Sequence, residues 1–371
     1  MSPLVRWACP ENKPTFGETH EASHCITTCE DKCASPFMIA ALTASNQRNH
    51  HRGKYISATS LSGCVRKLQL ERTVDYADFM QNSFYGYRGT VMHQVVEDSA
   101  LVDLGELGSL ESLGYLSEWR MSIGFCMEHG GFRLPAGSDA TQDDAWLDTA
   151  CPDCEPNNPT QVLLLGGTLD GLEPIWDTFD PDEGTLDAIL WDLKTMQEYA
   201  VRYFIQGDKK NVYHPNVKDG HYEQAQMYRY MAEICEPPQL LKDRGVKRLN
   251  LIEANIQVFA MNKFPRTGTH NSFKSGRSAE MDYFVPEITF ESNEWVEEYI
   301  RERALPIYHS LVTGEKRGPI TEPTGGNEHS WLCRFCAFYE TEYCPDPTSE
   351  WKLLQENVVP DEAFIQVSQG V

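Results

Sequence analysis

Ile-Leu-Trp-Asp-Leu-Lys-Thr, residues 189–195, is the stretch from which the fold of this chain is read. On a strand, alternate residues share a face. Leu190, Asp192 and Lys194 then point one way, and Ile189, Trp191 and Leu193 the other, the second set reading as the core face. Just upstream, Leu-Gly-Gly-Thr-Leu-Asp-Gly-Leu at 165–172 sets Asp170 at the end of a strand, before glycine. Antiparallel pairing of the two strands brings Asp170 beside Asp192. Two adjacent carboxylates are costly unless a cation neutralises them. Their hard oxygens suit Mg²⁺ or Mn²⁺. Such an ion lowers the pKa of bound water and stabilises charge on a phosphate, and Lys194 would orient that water or an oxyanion. Taken alone, the Asp192/Lys194 alternation reads as an ordinary exposed strand.

Two helical patterns flank this pair. His93 and Glu97, in Arg-Gly-Thr-Val-Met-His-Gln-Val-Val-Glu (88–97), are four apart and share a helical face, as do Gln224 and Tyr228 further on. The second pair reads locally as an ordinary amphipathic helix. Strands are expected at 113–125, 161–170, 188–195, 249–261 and 282–290. Helices are expected at 56–72, 84–104, 221–235 and 293–315, the last kinked or broken at Pro306. An acidic loop with Glu173, Asp177, Asp180, Asp182, Glu183 and Asp187 joins the two central strands. The order implies an α/β or α+β core, a mixed sheet with helices on its faces.

The chain divides by composition into a Cys/His-rich segment 1–50, a main domain 51–345 and an acidic tail 346–371. The opening segment shows no clear period beyond a short helix near Met38–Leu42. Its Cys25, Cys29 and Cys33 would share a helical face, as a small zinc site or as free thiols, with Cys9 nearby. A Gly/Pro/Asp/Asn-rich insertion spans 126–160. It holds Cys126-Met-Glu-His129 and Cys151-Pro-Asp-Cys154, a tetrahedral zinc pattern.

A hydrophobic content of 41% and an aromatic content of 11% fit an ordered globular protein. No apolar run approaches the ~20 residues needed to span a membrane, and Met-Ser-Pro-Leu-Val-Arg-Trp lacks a secretory apolar region. The expected compartment is the cytoplasm, where the 12 cysteines read as metal ligands rather than disulfides. Cys64 stands in Ser-Leu-Ser-Gly-Cys-Val-Arg-Lys, and Cys333, Cys336 and Cys344 close the other end of the main domain. Four soft thiolates suit an iron–sulfur cluster or zinc. A net charge of −23 counts against a surface that wraps nucleic acid everywhere. Two segments are locally basic: 207–220, with Lys209, Lys210, His214 and Lys218, and 261–277, with Lys263, Arg266, His270, Lys274 and Arg277. Both read as phosphate-contacting or merely solvated loops. Phe204, Tyr213 and Phe264 would stack on unpaired bases.

Gly89-x-x-x-His93-x-x-x-Glu97, Gly167-x-x-Asp170, Asp192-x-Lys194 and Gln224-x-x-x-Tyr228 together resemble, in this order, the RecB-like branch of the PD-(D/E)xK nuclease superfamily. The Cys64 stretch and the Cys-x-x-Cys…Cys-Pro ending are similar to its iron–sulfur subgroup of CRISPR-associated and phage exonucleases. The resemblance implies a restriction-endonuclease-like sheet closed by a [4Fe–4S] clasp on Cys64, Cys333, Cys336 and Cys344. It implies a catalytic Mg²⁺ or Mn²⁺ on His93, Asp170, Asp192 and the Leu193 carbonyl, with Lys194 as the catalytic lysine. Gln224 and Tyr228 would position DNA or the active-site water, with Glu97 as a supporting carboxylate. Glu118, in Leu-Ser-Glu-Trp-Arg, stands where many such enzymes carry an acid. Leu169 precedes Asp170 where the superfamily name has proline. The implied activity is a metal-dependent DNA exonuclease acting on single strands or ends in recombination, repair or CRISPR-like processing. The resemblance also implies a helicase, recombination or CRISPR partner, in the host cytoplasm if phage-encoded. The rival is a catalytically silent DNA-binding or assembly protein of the same fold, which the net charge favours.

Overall fold

The computed structural model describes residues 6–8, 18–30, 35–49, 55–65, 67–68, 77–134, 151–154, 162–196, 219–260 and 283–312. Their strands are β1 (Arg6–Ala8), β2 (Thr19–His20), β3 (Tyr55–Ser57), β4 (Ala77–Phe79), β5 (Leu116–Cys126), β6 (Gly130–Phe132), β7 (Val162–Pro174), β8 (Thr185–Met196), β9 (Arg248–Ala260) and β10 (Tyr283–Ile288). The main sheet is mixed and runs in the order β10-β9-β8-β7-β5-β6, with helices flanking it. By its contacts the chain forms two compact units. One is drawn from Gly89–Ile123 and Gly166–Val296, the other from Met1–Arg88, Gly124–Leu165 and Glu297–Val371.

In the first of these units, β7 pairs antiparallel with β8, Gly171 facing Trp191. β8 pairs parallel with β9 from Thr185↔Arg248 to Met196↔Ala260, with a register shift at Ala188/Ile189. Parallel neighbours need a crossover, and the helix Asp219–Ile234 lies between β8 and β9 in the chain. The expected acidic loop is shorter than its sequence suggested, because both strands run further into it. Asp180 closes it as an Asx turn, its carboxylate accepting from the Asp182 N–H at 2.9 Å and the Glu183 N–H at 3.1 Å. Gly184, at φ +71°, completes the turn.

Two expectations for this core are corrected. Of the expected core face, Leu193 is buried but Ile189 and Trp191 are only half-buried, whereas Leu186, Ala188, Leu190 and Asp192 are all buried. The face that carries the acid is therefore the inner one, because the Asp219–Ile234 helix packs against β8 and β9. That helix is also not amphipathic, since every residue from Tyr222 to Ala232 is buried. Its buried polar side chains are drawn into hydrogen bonds, although Arg229 Nε is a buried nitrogen with no hydrogen-bond partner among the described residues. Gln226 donates to the Thr289 carbonyl at 3.1 Å and accepts from the Glu291 N–H at 2.8 Å. Arg229 donates to the Glu291 carbonyl at 2.6 Å and to Glu233 at 3.0 Å.

In the other unit, the opening segment has more regular structure than its sequence suggested. β1 lies between β2, antiparallel, and β4, parallel. Helices run from Ala22 to Thr27 and from Pro36 to Asn49. Trp7, Ile39 and Leu42 form a small core, and the Trp7 indole donates to Thr43 Oγ1 at 3.1 Å. Cys25 packs on that core, while Cys29 lies beyond the Ala22–Thr27 helix, so the two do not share a helix. Cys9 and Cys33 lie outside the described residues. The helix expected over 56–72 instead begins as β3, followed by the short helix Ala58–Leu61, which Ser57 caps by accepting from the Ser60 N–H at 3.1 Å. Cys64 sits just after it, half-buried. The helix Asn293–Val312 continues through Pro306. The missing donor leaves only the carbonyl of the exposed Glu302 without its helical bond.

Candidate metal centre

The β7–β8 register makes the site. One step beyond the Gly171–Trp191 pair stand Asp170 and Asp192. Asp170 Oδ2 accepts from the Leu193 N–H at 2.7 Å, which ties the carboxylate to the neighbouring strand. Its other oxygen, Oδ1, lies 2.9 Å from His93 Nδ1 on the helix Met80–Ser99. Lys194 Nζ donates to Asp192 Oδ1 at 2.7 Å and to Gln224 Oε1 at 3.0 Å. Gln224 Nε2 donates in turn to the Tyr228 hydroxyl at 2.6 Å. His93 and Asp170 thus form one contact, and Asp192, Lys194, Gln224 and Tyr228 one connected chain.

Asp192 is 1% exposed, and its Oδ2 is a buried oxygen with no hydrogen-bond partner among the described residues. Burial pushes its carboxyl up to about 6, against the pull of Lys194 and with Asp170 adding to the rise. Asp170 is also raised by burial, but the His93 bond, the Lys194 charge and the Leu193 N–H outweigh that and hold it low. The bond to Asp170 raises His93 against the opposing effect of burial. A buried carboxylate oxygen without a partner, beside a second carboxylate and an imidazole, is a donor set that fits a hard divalent cation.

Glycines in the two flanking motifs make room for this arrangement. A Cβ on Gly167 would lie 2.4 Å from the Tyr228 ring. One on Gly89 would come within 3.1 Å of Thr195 Oγ1. Glu97 contributes less directly, since its carboxylate accepts from Gln94 Nε2 at 3.0 Å. Glu118 is held at φ 53° on β5, a left-handed conformation unusual for a strand residue. Desolvation, then the charges of Glu97 and Asp170, push its carboxyl up. Strain of this kind costs roughly 1–3 kcal/mol and clusters at functional sites. No periodicity in the sequence signals that backbone.

In the other unit, Cys126, His129, Cys151 and Cys154 offer four ligand atoms, all within 4.8 Å of one another. Cys126 Sγ lies 3.6 Å from Cys154 Sγ and 3.7 Å from His129 Nδ1. His129 Nδ1 is 3.1 Å from Cys154 Sγ and 3.7 Å from Cys151 Sγ. A zinc ion with sulfur ligands at about 2.3 Å has tetrahedral edges of about 3.8 Å, close to these spacings. Burial raises the Cys126 thiol, but backbone N–H groups of His129 and Glu128 outweigh it and favour the thiolate. Desolvation and the neighbouring sulfurs push Cys154 up to about 12, so without a cation it keeps its proton. These four residues could hold a metal ion.

Of the expected Cys64 clasp, the described residues include Cys64 alone; Cys333, Cys336 and Cys344 lie outside them, as do the basic segments 207–218 and 261–277. Among the described residues, no helix is long and apolar enough to cross a membrane.

No protein-family profile matches the chain, and no curated protein matches it. Among solved structures, the one titled "Crystal structure of SSO0001" is similar at a TM-score of 0.37 and 10% identity, over 81% of this chain and 92% of that one. At that level the likeness carries no argument.

Proposed function

We propose that this chain is a divalent-metal-dependent DNA exonuclease with a restriction-endonuclease-like core, acting on single strands or DNA ends. The observation that carries the reading is the buried, unpartnered Oδ2 of Asp192 beside Asp170, with Lys194 bonded to the other Asp192 oxygen. Asp170, Asp192 and His93 would hold Mg²⁺ or Mn²⁺, with the Leu193 carbonyl as a further ligand. The ion, when bound, supplies an acidic water and a counter-charge for the scissile phosphate. Lys194, already aimed at Asp192, would orient that water or steady charge on the phosphate oxygen. Gln224 and Tyr228 hold the lysine in place, and Glu97 and Glu118 extend the negative lining.

The zinc reading of Cys126, His129, Cys151 and Cys154 rests on their spacing and thiol content. The [4Fe–4S] reading of Cys64, Cys333, Cys336 and Cys344 rests on the sequence resemblance. Recombination, repair or CRISPR-like processing, with a helicase or similar partner, would supply the strand ends. The rival reading, a catalytically silent DNA-binding or assembly protein, is favoured by the net charge of −23.

The deciding experiment incubates end-labelled linear DNA with the protein and Mg²⁺ or Mn²⁺, and with chelator. Metal-dependent loss of label that disappears in Asp192→Ala and Lys194→Ala supports the reading. No metal-dependent cleavage of any DNA or RNA would sink it in favour of the rival.

A further inference from the structure

The turn that carries two of the Cys/His ligands is met at three points by one pair of side chains. Glu297 and Arg301 are four apart on the helix Asn293–Val312, and Arg301 NH2 donates to Glu297 Oε2 at 2.9 Å. Arg301 Nε donates to the Met127 carbonyl at 2.9 Å. The same guanidinium stands 5.9 Å from the centre of the Phe125 ring. At the far end of the turn, Gly130 has φ +81°, and a Cβ there would lie 2.5–2.6 Å from three atoms of the Glu297 carboxylate. Met127 is thus held by a hydrogen bond, with the guanidinium over Phe125 and the Glu297 carboxylate packed close against Gly130, and the ligands Cys126 and His129 lie among these residues.

The chemistry suits a metal knuckle. The Cys126 sulfur draws on the backbone N–H groups of Glu128 and His129. The Glu128 N–H shares a peptide plane with the Met127 carbonyl, so the Arg301 bond to that carbonyl fixes the direction in which the Glu128 N–H points. The guanidinium also places a cation next to a site whose three thiolates would carry net negative charge with a divalent ion. Outer contacts of this kind change metal affinity by about 10- to 100-fold when removed.

The same helix makes a second, parallel contact. Arg303 is 8% exposed and donates to the carbonyls of Leu61 at 2.5 Å and of Gly63, the residue before Cys64. Residues two apart point roughly 200° apart around a helix. Arg301 and Arg303 thus hold a ligand-bearing turn on one side of the helix and the Cys64 turn on another.

We propose that the Glu297–Arg301 pair is the positioning element of the Cys126/His129/Cys151/Cys154 metal site. This rests on the reading of that group as a zinc site. The test measures Zn²⁺ affinity by competition with a chromophoric chelator, and the Co²⁺-substituted absorption spectrum, on the full chain. Wild type is compared with Arg301→Gln, Arg301→Lys and Glu297→Gln. Arg301→Gln should weaken Zn²⁺ about 10- to 100-fold and shift the thiolate-to-cobalt bands, while circular dichroism stays unchanged. Arg301→Lys should recover part of the affinity, because an ammonium can still reach the Met127 carbonyl. Glu297→Gln, at a part-exposed position, frees the guanidinium without burying a new charge, and should weaken Zn²⁺ by a smaller factor. It remains informative if the arginine variants fail to fold. Affinity and spectrum equal to wild type in Arg301→Gln, or in Glu297→Gln where the former does not fold, would overturn the positioning role. A wild-type chain that takes up neither Zn²⁺ nor Co²⁺ would overturn the site itself.

Discussion

Asp192 shows the cost at the scale of one residue. Its carboxyl is pushed up to about 6, above its ordinary value of 3.8. The folded chain thus binds this proton more tightly than the unfolded chain does. The contribution is fully present below the unfolded value and is lost as pH rises through about 6, with slope set by the difference in protons bound. In metal-free protein, thermal stability should fall between pH 4.5 and 7 (about), and Asp192→Asn should flatten that fall. His93, also raised, acts in the same direction, while Asp170, held low, acts in the opposite one. The difference between wild type and Asp192→Asn therefore isolates Asp192; equal slopes would contradict the assignment. At Glu118, Asn tolerates the left-handed backbone and carries no charge. Glu118→Asn should raise the midpoint of metal-free unfolding by a few degrees and lower cleavage, read by calorimetry and by the labelled-strand assay.

At the scale of elements, the β7–β8 pair was the most legible part of the fold. The antiparallel pairing and the alternation around Asp192 place two acids side by side, and the register obeys; Asp170, expected at the end of its strand, instead lies inside β7, four residues before Pro174. Which face of β8 is buried was not legible. Ile189, Trp191 and Leu193 are the more apolar set, yet the crossover helix covers the face of Leu190 and Asp192. A period of two reports alternation, not the side on which a later helix lands. The same limit hid the burial of Asp219–Ile234, since Glu223, Gln226 and Arg229 look exposed until their partners around Glu291 are known. Strands of two or three residues, such as β1 and β2, are too short to show any period. Gly167→Ala tests the packing of this layer. Its Cβ would strike the Tyr228 ring, so the variant should lose roughly 1–3 kcal/mol in urea unfolding and cleave more slowly. A neutral effect on both would show that Tyr228 yields without consequence.

Across the whole molecule, charge is the chief constraint. A net charge of −23 disfavours nucleic acid on the surface in general, so on the proposed reading a substrate would reach the carboxylate site locally, as a strand end does. Linear single-stranded DNA should be degraded while closed circular DNA of the same sequence persists. Equal loss of both would reassign the activity as internal cleavage. The Cys-pair spacing made the Cys126/His129/Cys151/Cys154 group legible; the approach of Arg301 to Met127 was not, because the two lie 174 positions apart in the sequence.

The central claim is that Asp170 and Asp192 hold a divalent ion which Lys194 helps to use. It is tested most directly by measuring Mn²⁺ binding and end-labelled strand cleavage on the same samples of wild type and Lys194→Ala. The account predicts that Lys194→Ala retains one bound Mn²⁺ at near wild-type affinity and cleaves at least ~100-fold more slowly. Undiminished cleavage in Lys194→Ala, or a wild-type chain that binds no Mn²⁺, would contradict it.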